Sequence, residues 1–553
     1  VSRLPPTARA LGPRALAVLA ALWGLGGGGG SGAWGSGAAA RAASPLEVER
    51  ALHAWDTEAA ARAVAEWEAR EGALGPGAPA ERLAAAGHTR LLQGRYAEAA
   101  RLLDLAVREG GSPGVAQLAA LAAATRDATA GFVRRLSSGG HFALSYAPGP
   151  DAVLVPYADE ALEAAWEALT SRFGYAPPGP VRVEFLASPE VLAAVSPLTV
   201  EEIKTSGTIA LCKYDRLMIV SPRALVYGYA WRDTLAHEFV HLLVTRSSRN
   251  TVPIWLHEGL AKYYESAWRG PRAPHLERSS EDLLARALED GKLVSFEAMS
   301  PSMAKLPSQE ATATAFAEVF TVMEFLVERA GPQGPPRIPT MLAAGRSDRE
   351  AIATLAGVPW AGFQRAWEDS LRRRGLRKLP KPAELPKVFQ GEDADAATLR
   401  MVPEERARRL TWLADQFRLK GRYKAAAKTL RRAAALVGPA TPVVQAKLGD
   451  VLLQQGKPEE AVKVLQKPLG IFDRFVLLHL YLGRAQLALG HPKQARRHLE
   501  RVLDLNPFDP DVHRLLQMAY EALGLTPLAQ REERAQALLT ASPAGAPPVP
   551  ATP

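Results

Sequence analysis

Between residues 400 and 540 one pattern leaves little choice of architecture. Ala426, Ala461, Ala495 and Ala529 recur at intervals of 35, 34 and 34 residues, and each follows a glycine by five positions: Gly421, Gly456, Gly490 and Gly524. Gly449 and Gly483 place a further small residue early in two of the units, and Pro507 stops a helix. A unit of this length is a pair of antiparallel helices, with glycine at the turn and small residues where the two helices touch. One pair cannot bury its own apolar face, so neighbours must stack into an all-α array with a concave surface.

The period is that of tetratricopeptide repeats, which predicts a peptide or protein partner for the array. A single copy stands nearer the N-terminus. There AAAGHTRLLQGRYAEAARLLDLAVREG places Gly87, Gly94, Tyr96, Ala99 and Ala106 at the spacing of one helix pair, so residues 45–130 are expected to be helical and tetratricopeptide-like. Ahead of it, Arg3, Arg9 and Arg14 precede the apolar run ALAVLAALWGL and a Gly/Ser-rich stretch. Residues 1–44 therefore read as a signal peptide and low-complexity leader, with export to a bacterial periplasm or cell envelope, or secretion. The apolar run is far shorter than the roughly 20 residues a bilayer requires, so no transmembrane span is expected in the mature chain. The proline-rich run KLPKPAELPK marks a linker over 376–399, and residues 541–553 form a tail too rich in proline to fold.

The formal charge of +9 invites an anionic partner, yet 28 Lys and Arg face 18 Asp and Glu after Leu376, so the remainder is close to neutral. No stacking aromatics lie between basic residues, and there is no finger spacing or glycine-rich phosphate loop, so nucleic acid is excluded as a partner. The single cysteine, Cys212, excludes an intramolecular disulfide and a cysteine zinc site. Its neighbours in TIALCKY are those of a strand, which predicts a buried small side chain.

The middle of the chain changes period. Residues 141–149 (HFALSYAPG) and 181–188 (VRVEFLAS) read as strands around a helix over 153–173, and TSGTIALCKYDRLMIVSP reads as two strands turning near Tyr214, Asp215 and Arg216. A helix follows from about Trp231 and a second from about Pro253, an α+β order. The first contains HEFVH. Residues four apart share a helix face, so His237 and His241 can hold one metal ion while Glu238 stands beside it. Two imidazoles, a carboxylate to take a proton from water and an open coordination position are what a zinc hydrolase needs. Leu235, Phe239, Leu242 and Leu243 form a separate apolar stripe, so burial and ligation do not compete. On the second helix Glu258 and His257 are alternative third ligands, and Gly259 removes a side chain where close approach would help. Asp233, one turn before His237, and Glu265, two turns after Glu258, are candidates to accept a ligand histidine's second N–H.

DTLAHEFVHLLV followed by PIWLHEGLAKYYE resembles the gluzincin metallopeptidases, and most of all the bacterial peptidase MA-like domain. The WLxEG element is also similar to that of the aminopeptidase N family. The resemblance covers about 139–375, and GRSDREAIATLAGVPWAGFQRAWEDSL resembles the end of that domain. It implies an α+β gluzincin-like domain flanked by all-α tetratricopeptide-type repeats. It also implies one zinc ion held by His237, His241 and Glu258, with Glu238 as general base and His257 set aside. A peptide or protein substrate would pair along the TIALCKY or RLMIVSP strand. Two departures stand out. Sixteen residues separate His241 from Glu258, slightly fewer than in relatives, and Phe316 and Phe320 stand where relatives often carry a tyrosine. A phenyl ring cannot donate a hydrogen bond, so the oxyanion donor is unassigned: Tyr263 and Tyr264 are near in sequence but off Glu258's helical face, which leaves Tyr227, Tyr229 or a lysine. The expectation is thus a zinc peptidase with partner-binding repeats, and its alternative is a repeat scaffold with a catalytically silent metal domain.

Overall fold

A computed structural model describes residues 43–541 apart from 271–273, 301–302, 304–305, 380–386 and 392–393, so the expected leader and tail lie almost wholly outside the described residues. The chain divides into two units, residues 1–127 and 128–553. In the first, Ser44 and Glu47 form a reciprocal capping box that opens α1 (Pro45–His53). Helices α2 (Thr57–Glu71), α3 (Ala80–Leu92), α4 (Tyr96–Arg108) and α5 (Pro113–Thr129) follow. A Cβ on Gly87 of α3 would lie 2.6 Å from Leu103 Cγ of α4, so glycine lets this pair close as the repeat pattern requires.

The second unit opens with a five-stranded sheet of order β1-β2-β3-β5-β4. Its strands are β1 (Val133–Leu136), β2 (Phe142–Tyr146), β3 (Val181–Leu186), β4 (Ala210–Lys213) and β5 (Arg216–Val220). β2, β3 and β5 run parallel, with β1 and β4 antiparallel at the two edges. The β2-to-β3 crossover is made by helix α6 (Val155–Phe173), as a parallel pair demands. The β4–β5 turn is tight: Tyr214 and Asp215 both have left-handed backbone, φ 55° and 57°, which suits a two-residue hairpin. β1 was not expected. Its sequence VRRL has one half-buried and three exposed positions, so no alternation advertises it.

Five longer helices complete the central domain: α7 (Trp231–Ser248), α8 (Ile254–Tyr264), α9 (Arg278–Asp290), α10 (Gln309–Ala330) and α11 (Trp360–Arg374). The repeat array then follows as four helix pairs: α12 (Glu405–Leu419) with α13 (Tyr423–Val437), α14 (Pro442–Gln454) with α15 (Pro458–Leu469), α16 (Val476–Ala488) with α17 (Pro492–Leu503), and α18 (Pro510–Ala522) with α19 (Thr526–Thr540). Gly449 and Gly483 press on Leu465 and Leu499, where a Cβ would come within 2.7 and 2.6 Å. The expected class, an α+β domain with all-α repeats, is the class observed.

The segment between domain and array is not a free tether where it is described. Phe389 bridges Leu225, the Val226 N–H donates to the Val388 carbonyl, and Val388 and Phe389 are buried. The array itself lies against the domain. The Tyr229 N–H donates to the Leu505 carbonyl at 2.9 Å, and Trp231 Nε1 donates to the Leu503 carbonyl at 2.8 Å. Tyr157 on α6 donates to Glu532 on α19 at 2.8 Å, beside a fully buried His513–Glu532 pair. Gly228 has φ 63°, and a Cβ there would lie 2.1 Å from the Leu505 carbonyl oxygen, a contact that only glycine permits.

Candidate metal centre

Helix α7 is locked against the sheet by its apolar residues. Leu235, Phe239, Leu242 and Leu243 are all buried, and Phe239 meets Phe142 edge-on at 5.1 Å and stacks on Trp166 at 5.8 Å. The face carrying His237 and His241 is turned toward α8. Left-handed Arg249 and Asn250 (φ 55° and 61°) reverse the chain between the helices. α8 in turn lies close on α10: a Cβ at Gly259 would sit 3.0 Å from Met323 Cε and 3.2 Å from the Val319 carbonyl. Glu258, one residue earlier, is thereby brought to the histidines.

The donor atoms of His237, His241 and Glu258 all lie within 4.8 Å of one another. The two Nε2 atoms are 3.1 Å apart, and Glu258 Oε2 lies 3.4 Å from His237 Nε2 and 3.5 Å from His241 Nε2. The two imidazoles have their far sides fixed. His237 Nδ1 meets Glu265 Oε2 at 3.2 Å, and His241 Nδ1 meets His257 Nδ1 at 2.9 Å. His257, the alternative third ligand, thus stands behind His241, with Thr245 Oγ1 3.3 Å from its other nitrogen. Asp233 does not reach a ligand histidine; it accepts from Arg269 at 2.8 Å and from Trp268 Nε1 at 3.0 Å. Of the two carboxylates expected there, the structure gives Glu265 the contact with the ring.

The electrostatics call for positive charge at this centre. Burial opposes a charged His237, but hydrogen bonds to Glu258 and Glu265 and the charge of Glu238 outweigh it and push its pKa up to about 10. Burial likewise opposes an ionised Glu258, yet the two imidazoles hold its carboxyl far below the usual carboxylate range. His257 is pushed down to about 3, by burial first and by His241 second, and so serves as a neutral partner. Burial raises Glu238, whose carboxylate accepts from the Cys212 backbone N–H. Its Oε2 is buried and has no hydrogen-bond partner among the described residues. Such an orphaned acceptor costs free energy unless water or substrate meets it. A two-imidazole, one-carboxylate set with a carboxylate poised beside it fits a catalytic zinc site with an open position.

Cys212, half-buried, lies on β4 and connects this site to the sheet edge. The hairpin is held to helix α7 by Arg246, whose Nε and Nη2 reach the Asp215 carboxylate at 3.0 and 2.6 Å. The tyrosine hydroxyls are engaged elsewhere: Tyr229 donates to the Val220 carbonyl, Tyr264 reaches the Pro332 carbonyl at 3.5 Å, and Tyr227 and Thr398 share a hydrogen bond. Tyr263 packs against Phe320 and Tyr264. The structure assigns the oxyanion contact to none of them.

Residues 168–373 match a family model described as the peptidase MA superfamily, and residues 452–519 match one described as tetratricopeptide repeat. No curated protein matches the sequence. Among solved structures, leukotriene A4 hydrolase from Saccharomyces cerevisiae is similar over 74% of this chain and 67% of its own, at 12% identity and a TM-score of 0.28. A mutant of MamA is 23% identical over 26% of this chain and 86% of its own, with a TM-score of 0.22.

Proposed function

We propose that the peptidase MA superfamily domain of this chain is a zinc-dependent peptidase, acting in an exported protein whose tetratricopeptide repeats engage a protein partner. The observation that carries this reading is the convergence of His237, His241 and Glu258 beside a buried, partnerless Glu238 Oε2. Zinc held by those three residues would supply a Lewis acid that polarises a carbonyl and makes water more acidic. Glu265 and His257 hold the two imidazoles in orientation through their Nδ1 atoms. Glu238 Oε2 takes a proton from the attacking water and delivers it to the amide nitrogen as the C–N bond breaks. The outer edge of β4 gives an extended peptide a backbone to pair with, next to the residue whose N–H holds Glu238.

The second reading, a repeat scaffold with a silent metal domain, draws on one observation. Phe320 is buried where a tyrosine donor is expected, Tyr229 donates to the Val220 carbonyl and Tyr227 is hydrogen-bonded to Thr398. Metal analysis of wild type and His237→Ala, followed by cleavage of a diverse peptide pool by wild type and Glu238→Gln, separates the two readings. The peptidase reading expects stoichiometric zinc lost in His237→Ala. It also expects cleavage to fall about 10²- to 10⁴-fold in Glu238→Gln with zinc retained. Zinc without cleavage in the wild type supports the scaffold; no zinc in the wild type ends both the peptidase reading and the metal site.

A further inference from the structure

The repeat array does more than sit beside the central domain. Its loop between α15 and α16 carries Arg474, and the end of α17 carries Asp504. Both reach the back of the metal centre. Arg474 Nη2 lies 3.3 Å from Glu265 Oε1, and the other oxygen of that carboxylate meets His237 Nδ1 at 3.2 Å. Lys262 reaches the same Oε1 at 2.7 Å. Arg474 Nε lies 2.7 Å from Glu277 Oε1, ahead of α9, and Nη2 lies 3.8 Å from Asp233 Oδ2.

Asp504 completes the clamp from the other side. It accepts from Arg232 at 3.0 Å and from Arg269 at 2.8 Å, and Arg269 also donates to Asp233. Both arginines also lie against Trp268, their guanidinium carbons 4.4 Å (Arg232) and 4.1 Å (Arg269) from the centre of its ring. The backbone contacts of Tyr229 and Trp231 and the close approach at Gly228 hold this register.

We infer that the repeat array is a structural part of the metal centre, with Arg474 a positioning residue that acts through Glu265 on His237. The inference rests on the zinc reading above. A carboxylate that holds a ligand imidazole must itself be held, because a second ring nitrogen with a wandering partner leaves the first misdirected. Lys262 supplies one hold from the same helix region, and Arg474 supplies the other from a part of the chain more than 200 residues away. The Arg474 guanidinium donates to Glu265 through Nη2, while its Nε stands at ion-pair distance from Glu277 without a hydrogen bond, so Glu277 holds the charge in place as Nη2 meets the Glu265 carboxylate.

The test is zinc affinity of the full chain, measured by competition with a chromophoric chelator, for wild type, Arg474→Ala, Glu265→Gln and the double variant. Loss of the carboxylate is expected to weaken zinc about 10- to 100-fold, and loss of the arginine about 3- to 10-fold. Because both act along one chain of contacts, Arg474→Ala should cost less than about twofold in the Glu265→Gln background. Arg474→Lys should recover part of the lost affinity and guards against a misfolded alanine variant. Arg484→Ala, whose side chain pairs with Asp511 inside the array, is the control for general destabilisation. An unchanged affinity in Arg474→Ala, an equal loss in both backgrounds, or a lysine no better than alanine overturns the inference and leaves the zinc reading standing. A wild type with no His237-dependent zinc binding overturns both.

Discussion

Glu318 gives a sharp test of the packing behind the site. It lies on α10, the helix that backs α8, and is fully buried. The Val294 N–H donates to Oε1 at 2.8 Å, while Oε2 is buried with no hydrogen-bond partner among the described residues. Burial pushes its pKa from 4.5 up to about 8, with the single N–H bond only partly opposing. The folded state therefore keeps a proton that the unfolded chain releases near pH 4.5. Between those values the native state binds more protons, so this group's contribution is fully present below about pH 4.5 and is lost as pH rises through about 8. At about 1.4 kcal/mol per pH unit, the loss has a ceiling of about 5 kcal/mol, and relaxation around the charge reduces it to about 2–4 kcal/mol.

Glu318→Gln keeps an oxygen for the Val294 N–H and removes the titration. Near pH 5 the neutral acid and the amide should be about equally stable; by pH 9 the glutamine variant should be the more stable by about 2–4 kcal/mol. Urea unfolding followed by tryptophan fluorescence reads this directly, since Trp367 donates to Thr321 Oγ1 at 3.2 Å, within a turn of Glu318. Comparing the two proteins at each pH cancels the other titrating groups. A stability difference that stays within about 0.5 kcal/mol from pH 5 to pH 9 would refute the reasoning.

Two further outcomes are expected. Gly259→Val should press a branched side chain onto Val319 and Met323, lowering stability by about 1–3 kcal/mol and weakening zinc binding through Glu258; thermal unfolding and chelator competition would register both. Asp215→Asn keeps a residue tolerant of left-handed backbone but removes the charge opposite the nearly buried Arg246, at a cost of about 2–4 kcal/mol. Hydrogen exchange should then speed up across β4 and β5, and unchanged exchange there would count against the role given to this ion pair.

Much of this arrangement is legible in the residues because it is local. Strands β2, β3 and β5 announce themselves by β-branched and aromatic runs, and the array by glycines set by helix-pair geometry. The His237–His241 face follows from helical period, and Gly259 marks a close helix approach beside Glu258, which the structure fills with α10. What is not legible depends on packing between distant segments. Nothing within α7 distinguishes Asp233 from Glu265 as the partner of a ligand ring; the difference arises because Arg269 and Trp268 fold back onto Asp233. His257 reads as a possible ligand until the rotation of α8 places it on His241 Nδ1. Arg474 and Asp504 belong to a basic array whose charges look like a solvated surface, and no spacing rule connects them to HEFVH.

The bond from Trp231 to the Leu503 carbonyl spans 272 residues, and this has a consequence in time. A chain made from its N-terminus completes α7 long before the residues that hold its first turn exist. At roughly 5–20 residues per second, the interval is on the order of 15–50 s. For that period helix α7 has Ala230 as an N-cap that offers no side-chain bond, and the Trp231 indole lacks its distant carbonyl partner. The third of the four helix pairs, made long after α7, therefore finishes the first helix of the candidate metal centre.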